Sequence, residues 1–430
     1  MKLSILILCS VVGLSVTRTD FPANYQSQDE WLHFLDVVNS MTPKFDDDIH
    51  DVAEDENPLL CRINYVSEFP FTCPPMASPI VPTSVHELTP ADISVIGALG
   101  DSLTAAFGIE SCTVANLARE YRGLSWSVGG DEDINTVLTL ANLIKFYNPE
   151  LKGYSRGIGG PNSPAARFNV AVSGARAEHM PGQAWELVER ILADPEVDNE
   201  NDWKVVTMFI GTNDLCQHCL NINKYSTEQF VEYIRQALDI MHENLPRTFV
   251  NVLGILLIPE VGYYSTPRCD VFHALECPCA MFLEGDDNKY IWDLTRAYQK
   301  QTEALIMSGR YDTRDDFTVV YQPFLEDTHK PFLDNGEVDA SYFAPDCFHY
   351  STRAHAVGAK DIWNNMLQPV GEKDKSWNPQ GSIHCPSEDF PYFYTNLNSK
   401  QNAESISSLT IMSSSLNVFL SFLSVVLFVL

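Results

Sequence analysis

The chain has 430 residues, 45% of them apolar, which is enough to bury a large core and excludes a globally disordered protein. Its formal net charge of −29 excludes a reader of nucleic-acid backbones, which needs clustered Lys and Arg, but names no substrate.

Residues 1–17 hold one lysine, the largely apolar run Leu3 to Val12 and then small residues. This is the pattern of a secretory signal, with a buried first helix as the alternative. Residues 18–90 form a mixed leader with an acidic patch from Asp46 to Glu56 and many prolines from Pro58 to Pro90, expected to wrap as an extension on the core. The acidic patch reads as a solvated surface. From Ile93 strands and helices alternate. The strand candidates are 93–99, 168–172, 205–210, 249–257 and 317–321, each a short β-rich apolar run ending near Gly, Pro or a polar turn. Helical stretches are expected at 134–147, 184–193, 227–244, 290–307 and 353–367. Alternation of this kind implies an α/β fold, a three-layer α/β/α sandwich on a five-stranded parallel sheet, spanning 91–385. Residues 386–415 read as a polar spacer, and 416–430 as an almost wholly apolar tail. Small residues, a spacer and a short apolar end match a glycolipid-anchor signal; a plain membrane tail is the alternative, though about 20 residues suit a spanning helix better.

Eleven cysteines fit that route, since loss of Cys9 with the signal leaves ten. An even number in an oxidising compartment suggests disulfides, with the pairing open. The rival is a zinc site from Cys216-x-x-Cys219 and Cys277-x-Cys279, whose second spacing is poor for structural zinc. No Asn-x-Ser/Thr acceptor occurs.

Four short blocks carry the chemistry. Gly100-Asp101-Ser102-Leu103 follows the first strand, so Ser102 can be a nucleophile at the carboxyl edge of the sheet or simply a helix cap. The segment Asn169 to Ala175 ends a strand at Gly174, where a backbone N–H can approach a ligand; an ordinary strand-to-helix glycine is the plain alternative. In the stretch from Val205 to Asp214, Asn213 offers a carboxamide donor suited to an oxyanion, or else a turn. In Asp346-Cys347-Phe348-His349 an acid three residues before a histidine can fix its tautomer from one turn, though such a pair alone is more often structural. His355 reads as a packing or loop residue. Gly153-Tyr154-Ser155-Arg156-Gly157 matches a nucleophile elbow in letters only, because no strand precedes it.

In this order the four blocks resemble the GDSL, or SGNH, hydrolase superfamily, named for Ser, Gly, Asn and His. Longer stretches around them are similar to its phospholipase B branch: Gly100 to Ala105, Asn169 to Ala175, Phe209 to Cys216, Leu275 to Ala280, Asp346 to His349 and Trp363 to Lys373. The likeness runs from about Cys61 to Cys385. Thr212 stands where the family often has glycine, and Ala105-Ala106-Phe107 is more apolar than the Gly-rich versions of that branch. Some members carry tandem catalytic units, whereas this sequence shows one.

The resemblance implies a flavodoxin-like hydrolase with no metal or cofactor. Ser102 is then the nucleophile, His349 the base and Asp346 its orienting acid. The backbone N–H groups of Ser102 and Gly174 and the side chain of Asn213 make the oxyanion hole. Phospholipid and lysophospholipid substrates at a membrane surface are implied, with no nucleic acid. The implied location is the extracellular face of the plasma membrane, reached by the secretory pathway. An acetyl- or carbohydrate esterase on the same scaffold, or an inactive surface binding protein, is the alternative.

Overall fold

Apolar runs buried on both faces become parallel strands, because only a sheet covered on both sides can use them. A computed structural model describes residues 67–78, 80–111, 113–281 and 286–400. Among them β1 (Ile93–Gly100), β2 (Trp203–Phe209), β3 (Thr248–Leu253) and β4 (Phe317–Gln322) pair in that order, all parallel. The helices are α1 (Ser102–Ala105), α2 (Leu140–Tyr147), α3 (Met180–Ala193), α4 (Thr212–Gln217), α5 (Thr227–Asn244), α6 (Pro267–Glu276), α7 (Pro278–Met281), α8 (Asp286–Met307) and α9 (Thr352–Met366).

Alternate strand residues face opposite layers. Ile96, Val205, Phe249 and Val320 pack with Leu143 and Ile144 of α2 and with Ile362 and Trp363 of α9. Val95, Val206, Val250 and Val319 pack with Leu187 of α3, Ile234 of α5 and Tyr298 of α8. The result is the expected three-layer sandwich.

The fifth expected strand, 168–172, is not formed as a strand. It runs parallel along the free edge of β1 through one bridge, Ala98 to Asn169, with bonds from Ala98 N to Phe168 O (2.9 Å), Val170 N to Ala98 O (2.9 Å) and Val172 N to Gly100 O (3.2 Å). On its outer side the buried Arg122 guanidinium donates to the carbonyls of Asn169 (3.0 Å) and Ala171 (2.8 Å), where a further strand would otherwise bind. Counting this segment, the chain order across the sheet is second, first, third, fourth, fifth. The order reverses between β1 and β2, and in open α/β sheets the crevice at the carboxyl ends beside such a reversal is where ligands bind.

Three expected helices differ at their starts by four residues or more, the 290–307 helix beginning at Asp286. The 134–147 stretch becomes helical only at Leu140, because Thr139 caps it by accepting from Asn142 N at 3.0 Å. The 184–193 helix begins earlier, at Met180, with Pro181 in its first turn, where a missing N–H costs nothing.

The described part of the leader is fastened to the body. Phe69, Val85 and Leu88 are buried in the layer with α2 and α9, and Trp203 Nε1 donates to Pro82 O at 3.0 Å. Cys73 is disulfide-bonded to Cys385. The stretch read as a spacer is bound to the body as far as residue 400: Phe393 is fully buried, and Asn398 Nδ2 donates to His86 O at 2.9 Å. Cys216–Cys277 and Cys219–Cys279 are disulfides, so the zinc alternative for these four sulfurs is corrected. Cys269 pairs with Cys347. Cys61, Cys112, the signal at 1–17 and the tail at 416–430 lie outside the described residues. No helix among the described residues is long and apolar enough to cross a membrane.

Candidate active site

Ser102 is not the cap of the helix it opens. Asp101 is, its Oδ1 accepting from Leu103 N at 3.0 Å, which leaves the Ser102 hydroxyl for other work. As a first-turn residue, Ser102 also has a backbone N–H with no intrahelical carbonyl to reach. The helix is only one turn long, so its position depends on outside bonds. Trp126 Nε1 donates to Leu103 O (3.1 Å), and Ser125 Oγ (2.7 Å) and Asn169 Nδ2 (3.0 Å) both donate to Thr104 O. Before it, the Gln183 carboxamide brackets Gly100, accepting from its N–H (2.8 Å) and donating to its carbonyl (2.9 Å).

The acid and the imidazole come from a single turn between β4 and α9. Cys347 takes a left-handed conformation (φ 62), which folds Asp346 back toward His349. Asp346 Oδ1 accepts from the backbone N–H groups of Phe348 (3.0 Å) and His349 (2.9 Å). Asp346 Oδ2 lies 2.7 Å from His349 Nδ1, and His349 Nε2 lies 2.8 Å from Ser102 Oγ. Burial alone would push the Asp346 carboxyl up, but the charge and hydrogen bond of His349 and the two amides outweigh it and hold it below its ordinary value. An ionised carboxylate can only accept, so Nδ1 carries the proton of the neutral ring. Nε2 is then bare and accepts from the serine hydroxyl. The Cys269–Cys347 disulfide and a bond from His273 Nε2 to Cys347 O (3.0 Å) tie this turn to α6. The Phe107 ring packs at 4.6 Å from the His349 ring, screening it from one side.

Gly174 and Asn213 reach the same sheet edge. Gly174 has φ 77, a left-handed conformation that favours glycine, two residues after the bond from Val172 to Gly100. Asn213 Nδ2 donates to Ala175 O at 2.8 Å, which spends one of its two amide hydrogens and leaves the second. Asn213 follows β2, whose last residue Phe209 is paired with Gly100 of β1. The glycine this turn requires is Gly211 (φ 121), where a Cβ would come within 2.7 Å of Ile255 Cδ1; Thr212 is therefore accommodated at the position where the family often has glycine.

Three buried carboxyl groups near the site escaped the sequence reading. Burial pushes Asp101 and Asp214 up to about 7. Asp214 accepts from Ala177 N through both oxygens (3.2 and 3.0 Å). Glu276, at the end of α6, is raised by burial and by the charge of Asp346. Asp101 and Glu276 were visible only as letters inside blocks chosen for other reasons, since nothing local marks a carboxylate as buried. A carboxyl whose folded value is raised contributes its stability below the ordinary value near 4, and this is lost as pH rises through about 7. Asp214→Asn removes that loss. Its melting temperature relative to wild type is expected to rise steadily between pH 4 and pH 8, read by thermal unfolding; a pH-independent difference would show that Asp214 is not a buried acid.

His355 is buried, accepts from Trp126 N at 3.3 Å and is driven down to about 3 by burial, so it stays a neutral packing residue. Ser155 is fully buried and donates to Ala166 O at 3.0 Å, far from the role its pentapeptide setting suggests. Next to Leu103 opens a small cleft whose lining mixes apolar side chains with Glu260, His329 and Lys330. Leu103, Thr212 and Phe348, the sequence neighbours of Ser102, Asn213 and His349, line it together with Leu256, Leu257 and Val261.

The GDSL-like lipase/acylhydrolase family matches residues 96–362. Membrane-associated phospholipase B1 of Mus musculus is 46% identical over 342 residues, which cover 76% of this chain and 23% of that protein. Its Homo sapiens counterpart is 47% identical over 339 residues, covering 75% and 23%. The chain thus spans about a quarter of the length of these curated relatives.

Proposed function

The chain belongs to the GDSL-like lipase/acylhydrolase family, and on that footing we propose that it is a phospholipase B-type hydrolase, releasing fatty acids from glycerophospholipids and lysophospholipids through a serine acyl-enzyme. The observation that carries the reading is the continuous hydrogen-bonded chain from Ser102 Oγ through His349 to Asp346, with links of 2.8 and 2.7 Å. Such a chain has one plain chemical use, to deprotonate the hydroxyl as it attacks a carbonyl.

In the proposed reaction Ser102 Oγ attacks the ester carbonyl while His349 Nε2 takes its proton. Asp346 stabilises the imidazolium, which then protonates the departing alkoxide, leaving as a lysophospholipid or, from a lysophospholipid, as a glycerophosphodiester. The Ser102 and Gly174 N–H groups and the remaining Asn213 amide hydrogen hold the oxyanion. Water, deprotonated by the same imidazole, releases the fatty acid and restores the serine. Leu103, Leu256 and Leu257 offer apolar contacts in the neighbouring cleft, and the choice of a lipid over a short or sugar-borne ester is supported by the phospholipase B1 relatives. The two relatives are called membrane-associated, and attachment to a lipid surface belongs to this proposal for the present chain. Within it we read the apolar stretch 416–430 as the signal for a glycolipid anchor at the outer face of the plasma membrane, tested by release from cells with a phosphatidylinositol-specific lipase.

Asn213→Ala is expected to lower turnover about 10²–10³-fold, the usual cost of one oxyanion donor, with little change in KM. Steady-state kinetics on a soluble ester check it, and an unchanged kcat would remove Asn213 from the oxyanion hole. The substrate class is tested by product analysis, with long-chain lysophosphatidylcholine set against acetylated sugars. Fatty acid release is the expected result; release of acetate alone would replace the phospholipase reading with an acetylesterase.

A further inference from the structure

Glu276 closes α6 with its carboxyl group facing the acid–imidazole pair. Both of its oxygens are buried, and neither has a hydrogen-bond partner among the described residues. Single donor atoms of Glu276, Asp346 and His349 all lie within 4.8 Å of one another. Two carboxyl groups set against each other, one with both acceptors unused, offer oxygens that a cation could bridge. Nothing in the proposed acyl transfer uses Glu276.

Resting on the catalytic reading above, we propose that Glu276, Asp346 and His349 form an inhibitory binding site for a divalent transition-metal cation, Zn2+ foremost. Two carboxylate oxygens and an imidazole nitrogen are a donor set for zinc; calcium takes six to eight oxygens instead. Donors at zinc's ordinary bond lengths sit about 3.4 Å apart around a tetrahedron, so Asp346 Oδ2 and His349 Nδ1, 2.7 Å apart, have to separate by about 0.7 Å, while the Glu276 carboxyl, within 4.8 Å of both residues' donor atoms, has to close in. The frame that holds the ligands is covalent: Cys269–Cys347 joins α6 to the Asp346–His349 turn, and Cys216–Cys277 anchors the residue after Glu276 to α4.

Occupation would stop catalysis by changing a tautomer. The ring nitrogen facing Asp346 is Nδ1, and its proton is what leaves Nε2 free to accept from Ser102. A cation bound at Nδ1 takes that proton's place. The neutral ring keeps its single proton by carrying it on Nε2, which then donates to the serine oxygen and can no longer act as base.

The test uses the full chain, stripped of metal by chelation, and Zn2+ alone as the probe. The rate of fluorophosphonate labelling of Ser102 is expected to fall as Zn2+ is added and to recover with EDTA. Glu276→Gln should require at least about tenfold more Zn2+ for the same inhibition, because even an outer partner of a metal ligand is worth 10–100-fold in affinity. Equilibrium dialysis of Ser102→Ala should find one bound Zn2+ per chain, lost when Glu276→Gln or His349→Ala is added. Labelling indifferent to Zn2+, or Glu276→Gln inhibited at the wild-type concentration, overturns the site. A chain that is not labelled even without metal defeats the catalytic reading instead, and the dialysis result then decides the metal site by itself.

Discussion

Replacing Ser102 by alanine is expected to lower kcat for ester hydrolysis by about 10⁶, and replacing His349 by alanine to do the same. The double substitution should cost no more than either alone. The two side chains are one device: the hydroxyl is 2.8 Å from Nε2, and neither oxygen without base nor base without oxygen performs the attack. What survives comes from donors that need neither residue, the Gly174 N–H and the Asn213 amide. Such remnants are worth about 10³–10⁴ over water. Losses that multiplied in the double variant would mean that Ser102 and His349 act in separate steps. Single-turnover kinetics on the three proteins, with circular dichroism to confirm folding, decide between these outcomes.

The second large effect is that of Asp346→Asn, expected to cost about 10⁴ in kcat while substrate binding is kept. The variant preserves shape but removes the charge that stabilises the imidazolium. It also lets an amide N–H face Nδ1, which favours the tautomer with its proton on Nε2. Stability gives a separate reading. Burial raises the Asp346 carboxyl, but His349 and two backbone amides pull it below its ordinary value. The carboxylate therefore contributes stability above the unfolded value near pH 4, and that contribution is lost as pH falls through the folded value. Asp346→Asn should melt below wild type at pH 7, with the gap narrowing in acid below about pH 4. A gap that widened in acid would mean that Asp346 is protonated in the folded protein.

The blocks were legible because each is local. A strand, a small turn and a polar residue fix where a side chain emerges, so the Ser102, Gly174 and Asn213 blocks could be placed at strand ends before any contact was known, while His349 was joined to them through the family resemblance. The Asp346–His349 pair was legible for the same reason, since three residues of one turn bring the two together. What the sequence hid is what depends on distant chain. The run 168–172 has strand composition, but Arg122, 47 residues before Asn169, takes the carbonyls that would extend the sheet. Gln183 and Trp126 fix the nucleophile's turn from elsewhere in the fold, and neither is marked by its neighbours in sequence. The cysteine spacing left disulfides and zinc both open. Crossed pairing of 216 with 277 and 219 with 279 removed the second reading.

The central claim is that Ser102 is the atom that carries the acyl group. Full-length protein treated with a fluorophosphonate, digested and mapped by mass spectrometry puts this to the most direct test. A single adduct on the peptide containing Ser102, absent after His349→Ala and accompanied by complete loss of fatty acid release, is the predicted result. An adduct on a different serine, or continued fatty acid release from Ser102→Ala, would contradict it.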